Sequence, residues 1–209
     1  MMYRLVSLLC LVSVATGQLQ LPGPCNWTNI NYQRSINPDE LVGKWNEIER
    51  VANSYENGTC SSWTLTAVKQ NNVIVGMNIL IQDVFNKKLY SLNGNLTITP
   101  TFTIIATFTD GLVVPFVIME TNYKDYAVIY SCIDQGQHGI VLAWKLSRTT
   151  QLSNATKVAF QEHDGLAKGN WTAISHTEDA CKITNNAIKT YINPIILVIV
   201  GLVIGKDSF

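Results

Sequence analysis

Cysteines, histidines and Asn-x-Ser/Thr sequons are the residues of this 209-residue chain whose types and spacing could do chemistry. Cys10 falls inside an N-terminal apolar run, which leaves Cys25, Cys60, Cys132 and Cys181. A free thiolate among them could serve as a nucleophile, and four together could hold a structural zinc. An even number in an oxidising compartment would instead close as two disulfides. Zinc fits poorly, because no two of the four lie closer than about 35 residues and none forms a C-x-x-C knuckle. Two disulfides are therefore expected, with all three pairings open, and no thiol is left over as a nucleophile.

The remaining candidates for catalysis are weak. His138 falls on an expected turn, His163 between Glu162 and Asp164, and His176 in a late polar segment, so each reads as a solvated imidazole rather than a general base. There is no H-E-x-x-H and no Gly-rich phosphate loop. We expect no catalytic residue, no metal site and no enzymatic activity. Asn26, Asn57, Asn95, Asn154 and Asn170 head sequons, which in a secreted chain call for surface glycosylation and hence for exposed positions.

Both chain ends address the membrane question. Arg4, the apolar run Leu5 to Val14 and the small residues Ala15, Thr16 and Gly17 have the layout of a cleavable signal peptide over 1-17. A membrane-spanning helix needs about 20 apolar residues, roughly twice that run. The far end carries a second run, Ile195 to Ile204, also too short to cross a bilayer. The small residues Asn185, Asn186 and Ala187 and a short polar spacer precede it, the arrangement of a glycosylphosphatidylinositol (GPI) attachment signal with Asn185 as acceptor. We expect a secreted or outer-surface protein with a possible lipid tether; a short interfacial tail or an extra packed helix are the plainer readings of 185-209.

What remains, 18-184, suits one domain with a sizeable core. The chain has 15 basic and 15 acidic residues, and Gln18 to Asn186 keeps 12 against 14, a charge of −2. Nothing in that balance suits a nucleic-acid partner, whose phosphates call for a basic patch.

The elements that position these groups read as strands from Gly43 onward, in short runs rich in Val, Ile, Thr and aromatics. Eight are expected, near 43-53, 61-69, 73-83, 88-98, 101-109, 113-122, 125-133 and 139-147. Asn71-Asn72, Asn86-Lys87, Asp110-Gly111 and Gln135-Gly136 mark hairpin turns between them. Such a meander removes its edges by closing into an all-β, up-and-down antiparallel barrel. Ser153 then caps one C-terminal helix, on which Ala155, Val158, Ala159, Glu162 and Leu166 recur at helical spacing until Gly165 and Gly169 interrupt, and a short ninth strand follows at Trp171 to Ser175.

Three motifs carry a family resemblance. Gly43-Lys44-Trp45, with its surroundings Leu41 to Arg50, resembles the G-x-W signature that opens the first strand of lipocalins, in particular the apolipoprotein D-like subgroup, as does Tyr55 to Cys60. Thr121 to Cys132 is similar to the second lipocalin signature, departing at Asn122 where Asp is usual, and Ala143 to Arg148 is similar to the third. The resemblance runs from about Cys25 to Cys181 and extends to insect lipid-anchored neuronal lipocalins and bilin-binding proteins. It implies the pairing Cys25 with Cys132 and Cys60 with Cys181; with no cysteine left unpaired, the isomerase activity that one lipocalin branch performs with a free thiol is disfavoured. An immunoglobulin domain, suggested by Tyr130-x-Cys132, fails on spacing because Trp63 follows Cys60 too closely.

In a closed barrel Trp45 and Arg148 would meet, guanidinium over indole, and plug one end. Alternation places Ile140, Leu142, Trp144 and Leu146 on one face, Phe116, Ile118 and Glu120 on another, and Tyr126, Val128 and Tyr130 on a third. The resemblance implies Trp144 and Phe116 at the cavity wall. Ile118, Met77, Tyr130 and Leu142 are expected to line it with them, Met77 with Val75 and Ile79 on its strand unless a one-residue slip turns Asn78 inward. The implied function is extracellular carriage of a small hydrophobic ligand, a fatty acid, sterol, retinoid or bilin, with no obligatory cofactor. The alternative is a GPI-anchored surface glycoprotein that uses the barrel as a scaffold for a receptor or adhesion partner.

Overall fold

A computed structural model describes residues 18–53 and 55–190. The expected leader over 1-17 and the apolar run Ile195 to Ile204 lie outside the described residues. The elements in chain order are β1 (Leu19–Leu21), α1 (Pro38–Leu41), β2 (Gly43–Val51), β3 (Cys60–Gln70), β4 (Val73–Phe85), β5 (Lys88–Ile98), β6 (Ile104–Phe108), β7 (Val113–Thr121), β8 (Tyr126–Gln135), β9 (His138–Ser147), α2 (Asn154–Glu162), β10 (Trp171–Ala173) and β11 (Asn185–Thr190).

Strands β2 to β9 pair antiparallel with their sequence neighbours, and β9 closes on β2, with Asn46 opposite Ser147 and Arg50 opposite Trp144. The result is the eight-stranded barrel that the spacing of turn residues called for. Asn71 and Asn72, and Asn86 and Lys87, have positive φ at both central positions, the backbone that a two-residue hairpin needs to match strand twist. Gly111 and Gly136 supply the same left-handed conformation at two further turns. The fifth barrel strand starts at Ile104 rather than 101, because the chain turns on itself there: Thr99 donates its N–H to Thr103 O at 2.9 Å, and Phe102 sits at φ +63°.

Helix α1 lies across one end of the barrel and sends Leu41 into the core. The other end is roofed by the β2–β3 loop, whose Tyr55 and Glu56 face the interior. The first barrel strand stops at Val51 rather than 53, since the Asn53 carboxamide oxygen takes the N–H groups of Tyr55 and Glu56, both at 2.9 Å, and folds the loop back.

Two short strands had no signal in the sequence. β1 pairs with β9, held by the 25–132 disulfide. β11 runs parallel to the start of β5, with Asn185 opposite Lys88 and Lys189 opposite Tyr90. The 60–181 disulfide brings the chain there. Helix α2 starts at the Ser153 cap, whose Oγ accepts from Thr156 N at 3.1 Å, and packs Ala159 and Phe160 over Tyr126 and Val128 on the outside of β8.

Candidate functional site

The barrel interior holds two apolar chambers in series. The upper one, of ≈ 30 Å³, lies under the β2–β3 loop at Tyr55 and Glu56, and Ile81, Leu112, Leu142 and Trp144 are also among its walls. The lower one, of ≈ 20 Å³, includes Leu41, Trp45, Met77, Leu96, Ile118 and Leu146. Trp63 and Phe116 belong to both and form the partition. Trp63 packs edge-on against Trp144 at 5.2 Å and Phe116 at 6.3 Å between ring centroids, separations at which aromatic pairs attract beyond their area burial. Each chamber has room for about two waters.

Of the residues expected at the wall, Trp144, Phe116 and Leu142 line the upper chamber, and Phe116, Ile118 and Met77 the lower. Tyr130 does not line either. It stands opposite Ala143 while its neighbour Ile129 stands opposite Trp144, and paired residues share a face, so Ile129 points in and Tyr130 out. Its ring meets Trp27 of the N-terminal arm at 5.9 Å. Glu120 also leaves the face it would share with Ile118, because a bulge between the two resets the alternation. Its carboxylate meets His163 at 2.9 Å on the outside, with the Tyr126 hydroxyl as second partner. Val75 is displaced by a second bulge: Val68 pairs with Gly76 and Lys69 with Ile74, so Val75 is 58 % exposed and Ile74 turns toward the core. Asn78 stays outside.

The floor rests on Gly43, Trp45 and Arg148. The Arg148 guanidinium carbon lies 3.6 Å from the Trp45 ring centroid, and its Nε, Nη1 and Nη2 donate to the carbonyls of Tyr123, Lys44 and Glu40 at 3.1, 3.1 and 2.8 Å. Gly43 has φ +109°, and a Cβ there would approach Arg148 Nη1 to 3.1 Å, so the site needs glycine on both counts. Asn122 holds the β7–β8 turn: its Oδ1 accepts from Asp125 N and Tyr126 N at 2.8 and 3.2 Å.

At the roof the interior becomes charged. Glu47 and Asp83 are fully buried and Arg50 and Glu56 nearly so. Arg50 donates to Glu47 Oε1 at 2.9 Å and to Gly58 O at 2.7 Å, and it lies 3.9 Å from Asp83 Oδ1. Ser61 Oγ donates to the other Glu47 oxygen at 3.0 Å, and Gly58 N to Asp83 Oδ2 at 2.7 Å. A Cβ at Gly58 would overlap Asp83 Oδ1 and come to 2.6 Å from Val84 O, so the loop closes only because residue 58 has no side chain. Three carboxyls thus face one guanidinium. Burial, reinforced by Glu56 and Asp83, holds Glu47 well above the ordinary carboxylate range against the pull of Arg50. Burial also raises Glu56, despite Arg50 and the Trp144 hydrogen bond. Burial alone would lower Arg50, but its three acidic neighbours outweigh it. Period-two alternation carried this signal: Glu47 is in phase with Trp45, and Asp83 with Ile79 and Ile81.

Both disulfides are present, Cys25–Cys132 and Cys60–Cys181. His176 lies beside the second one, with Nδ1 4.0 Å from Cys60 Sγ and Nε2 2.7 Å from Glu47 O. The sequon residues Asn26, Asn57, Asn95, Asn154 and Asn170 are all exposed. Asn185 opens β11.

The sequence over residues 42–178 matches the model of the lipocalin / cytosolic fatty-acid binding protein family. Apolipoprotein D of Macaca fascicularis is 26% identical over 148 residues, spanning 70% of this chain and 77% of that protein. Apolipoprotein D of Oryctolagus cuniculus is 28% identical over 124 residues, 58% of this chain and 64% of that one. Among solved structures, insecticyanin from the tobacco hornworm Manduca sexta superposes with a TM-score of 0.69 at 22% identity, covering 84% of this chain and 96% of its own. Lobster apocrustacyanin A1 gives 0.58 at 18%, covering 68% and 81%. These two likenesses are of fold.

Proposed function

The chain belongs to the lipocalin / cytosolic fatty-acid binding protein family, and from that membership we propose that it binds and carries a small hydrophobic molecule inside the barrel. The observation that carries this reading is the pair of apolar chambers stacked along the barrel axis, under a loop held at Gly58 and Asn53 rather than by a continued strand. Burial of ligand surface there is favourable by about 25 cal/mol per Å². The chambers are small as they stand, so uptake opens the Trp63–Phe116 partition and lifts the Tyr55–Glu56 roof, which closes again over the bound molecule. Tryptophan-quenching titrations with retinol, retinoic acid, arachidonate and biliverdin test this. Saturable quenching by at least one is expected; a folded protein that none of them quenches contradicts the carrier reading.

The protein works outside the cell in this account, as its leader-like N-terminus, two disulfides and five exposed sequons suggest. Residues Asn185 to Ala187 and the run Ile195 to Ile204 favour a second layer, tethering by a GPI anchor, which would let the barrel act as a cell-surface recognition module as well. Attachment at Asn185 would remove the rest of β11 from the sheet. Release from expressing cells by a phosphatidylinositol-specific phospholipase is the expected result, and protein already in the medium before treatment rules the tether out.

A further inference from the structure

Among the groups that line the upper chamber, two are polar, buried and unfulfilled. Glu56 Oε2 accepts from Trp144 Nε1 at 2.7 Å and from Asn53 Nδ2 at 3.3 Å. The other oxygen, Oε1, is buried and has no hydrogen-bond partner among the described residues. The same holds for the indole Nε1 of Trp63, which sits in the partition between the chambers. A buried polar atom without a partner is costly and uncommon in a folded protein. Here an acceptor and a donor of this kind share the wall of one apolar cavity.

We propose that the upper chamber selects apolar molecules ending in a hydroxyl, whose hydrogen is given to Glu56 Oε1 and whose oxygen accepts from Trp63 Nε1, and that it discriminates against the corresponding carboxylates. This rests on the carrier reading and narrows it. A hydroxyl is at once donor and acceptor, so it carries both functions that the two unfulfilled atoms in this wall call for. A carboxylate could accept from Trp63, but it has no hydrogen to give Glu56 Oε1, and it would set a charged oxygen against a buried carboxyl oxygen that already lacks a partner. In a buried site such like-charge contact is poorly screened. An aldehyde satisfies the indole and leaves Glu56 unanswered.

Retinol, retinal and retinoic acid share one carbon skeleton and differ only at this end, so their dissociation constants isolate the head group. At neutral pH retinol is expected to bind at least tenfold more tightly than retinoic acid, with retinal between them. Glu56→Gln should reverse the order of the outer two. Trp144 and Asn53 are both donors to Oε2, so the glutamine turns its oxygen to them and presents an N–H₂ where Oε1 stood. Trp63→Phe keeps the ring and removes the donor, and should weaken retinol several-fold; it also serves if the glutamine variant does not fold. Equal affinities of the native protein for retinol and retinoic acid overturn the inference and leave the carrier reading standing, as does a preference that Glu56→Gln or Trp63→Phe leaves unchanged. A folded native protein that binds none of the three overturns the carrier reading itself.

Discussion

The guanidinium of Arg148, from the end of β9, covers the indole of Trp45, from the start of β2, at 3.6 Å. One side chain thereby joins the strands that close the barrel, and through three carbonyls it also ties down α1 and the β7–β8 turn. Charge-assisted hydrogen bonds and the cation–π contact together should make Arg148→Ala cost about 2–4 kcal/mol. Arg148→Lys should recover only part, because an ammonium cannot fork to three carbonyls while stacking on a ring. Urea unfolding of both variants checks this; a lysine variant as stable as the native protein contradicts the role given to the planar fork.

Glu47 fixes the sign of a pH dependence. Its carboxyl holds its proton more tightly folded than unfolded, because it is buried beside Glu56 and Asp83. The stability this contributes is full below the unfolded pKa, about 4.3, and is lost as pH rises through the higher folded value. Over the pH range above the ordinary carboxylate pKa, the native protein should therefore lose stability with rising pH more steeply than Glu47→Gln, which keeps an acceptor for Arg50 and has no proton to lose. Urea midpoints across that range are the measurement. Parallel profiles would mean that Glu47 is ionised throughout.

Much of this fold was written in short-range pattern. The turn pairs Asn71-Asn72 and Asn86-Lys87 place four strand boundaries because only a few residues accept positive φ, and Ser153 marks the start of α2 through its cap. The wall residues were legible only where alternation runs unbroken, as for Leu142 and Trp144 on β9. Bulges after Ile118 and at Val75 reset the phase for Glu120 and Val75, and neither leaves a composition signal. Tyr130 was misplaced for another reason. β8 is buried on both faces, by the barrel interior and by the N-terminal arm with α2, so both of its alternating sets look like core. The roof cluster was overlooked because Glu47, Arg50 and Asp83 are types expected in water; only the phase of Glu47 with Trp45 and of Asp83 with Ile81 shows otherwise, and Arg50 lies past a bulge between Glu47 and Glu49 that hides its phase.

Phe116 separates the chambers, so Phe116→Ala joins them. Stability should fall by about 3–5 kcal/mol, the usual cost of emptying an aromatic core position. Affinity for a bulky ligand should rise several-fold, since the interior no longer has to open that partition to admit it. Calorimetric unfolding and a retinol titration on the same sample check both halves. A destabilised variant with unaltered ligand affinity would show that the partition does not gate uptake.

A ligand held in the barrel interior would be reported directly by the tryptophans. Trp63 and Trp144 face the chambers, while Trp27 and Trp171 pack on the outside of the barrel. In ¹H–¹⁵N spectra of the indole N–H groups, a saturating bound ligand should move the Trp63 and Trp144 resonances and leave Trp27 and Trp171 in place. Shifts confined to Trp27 and Trp171, with the interior pair unmoved, would contradict the account and place the ligand on the outer surface.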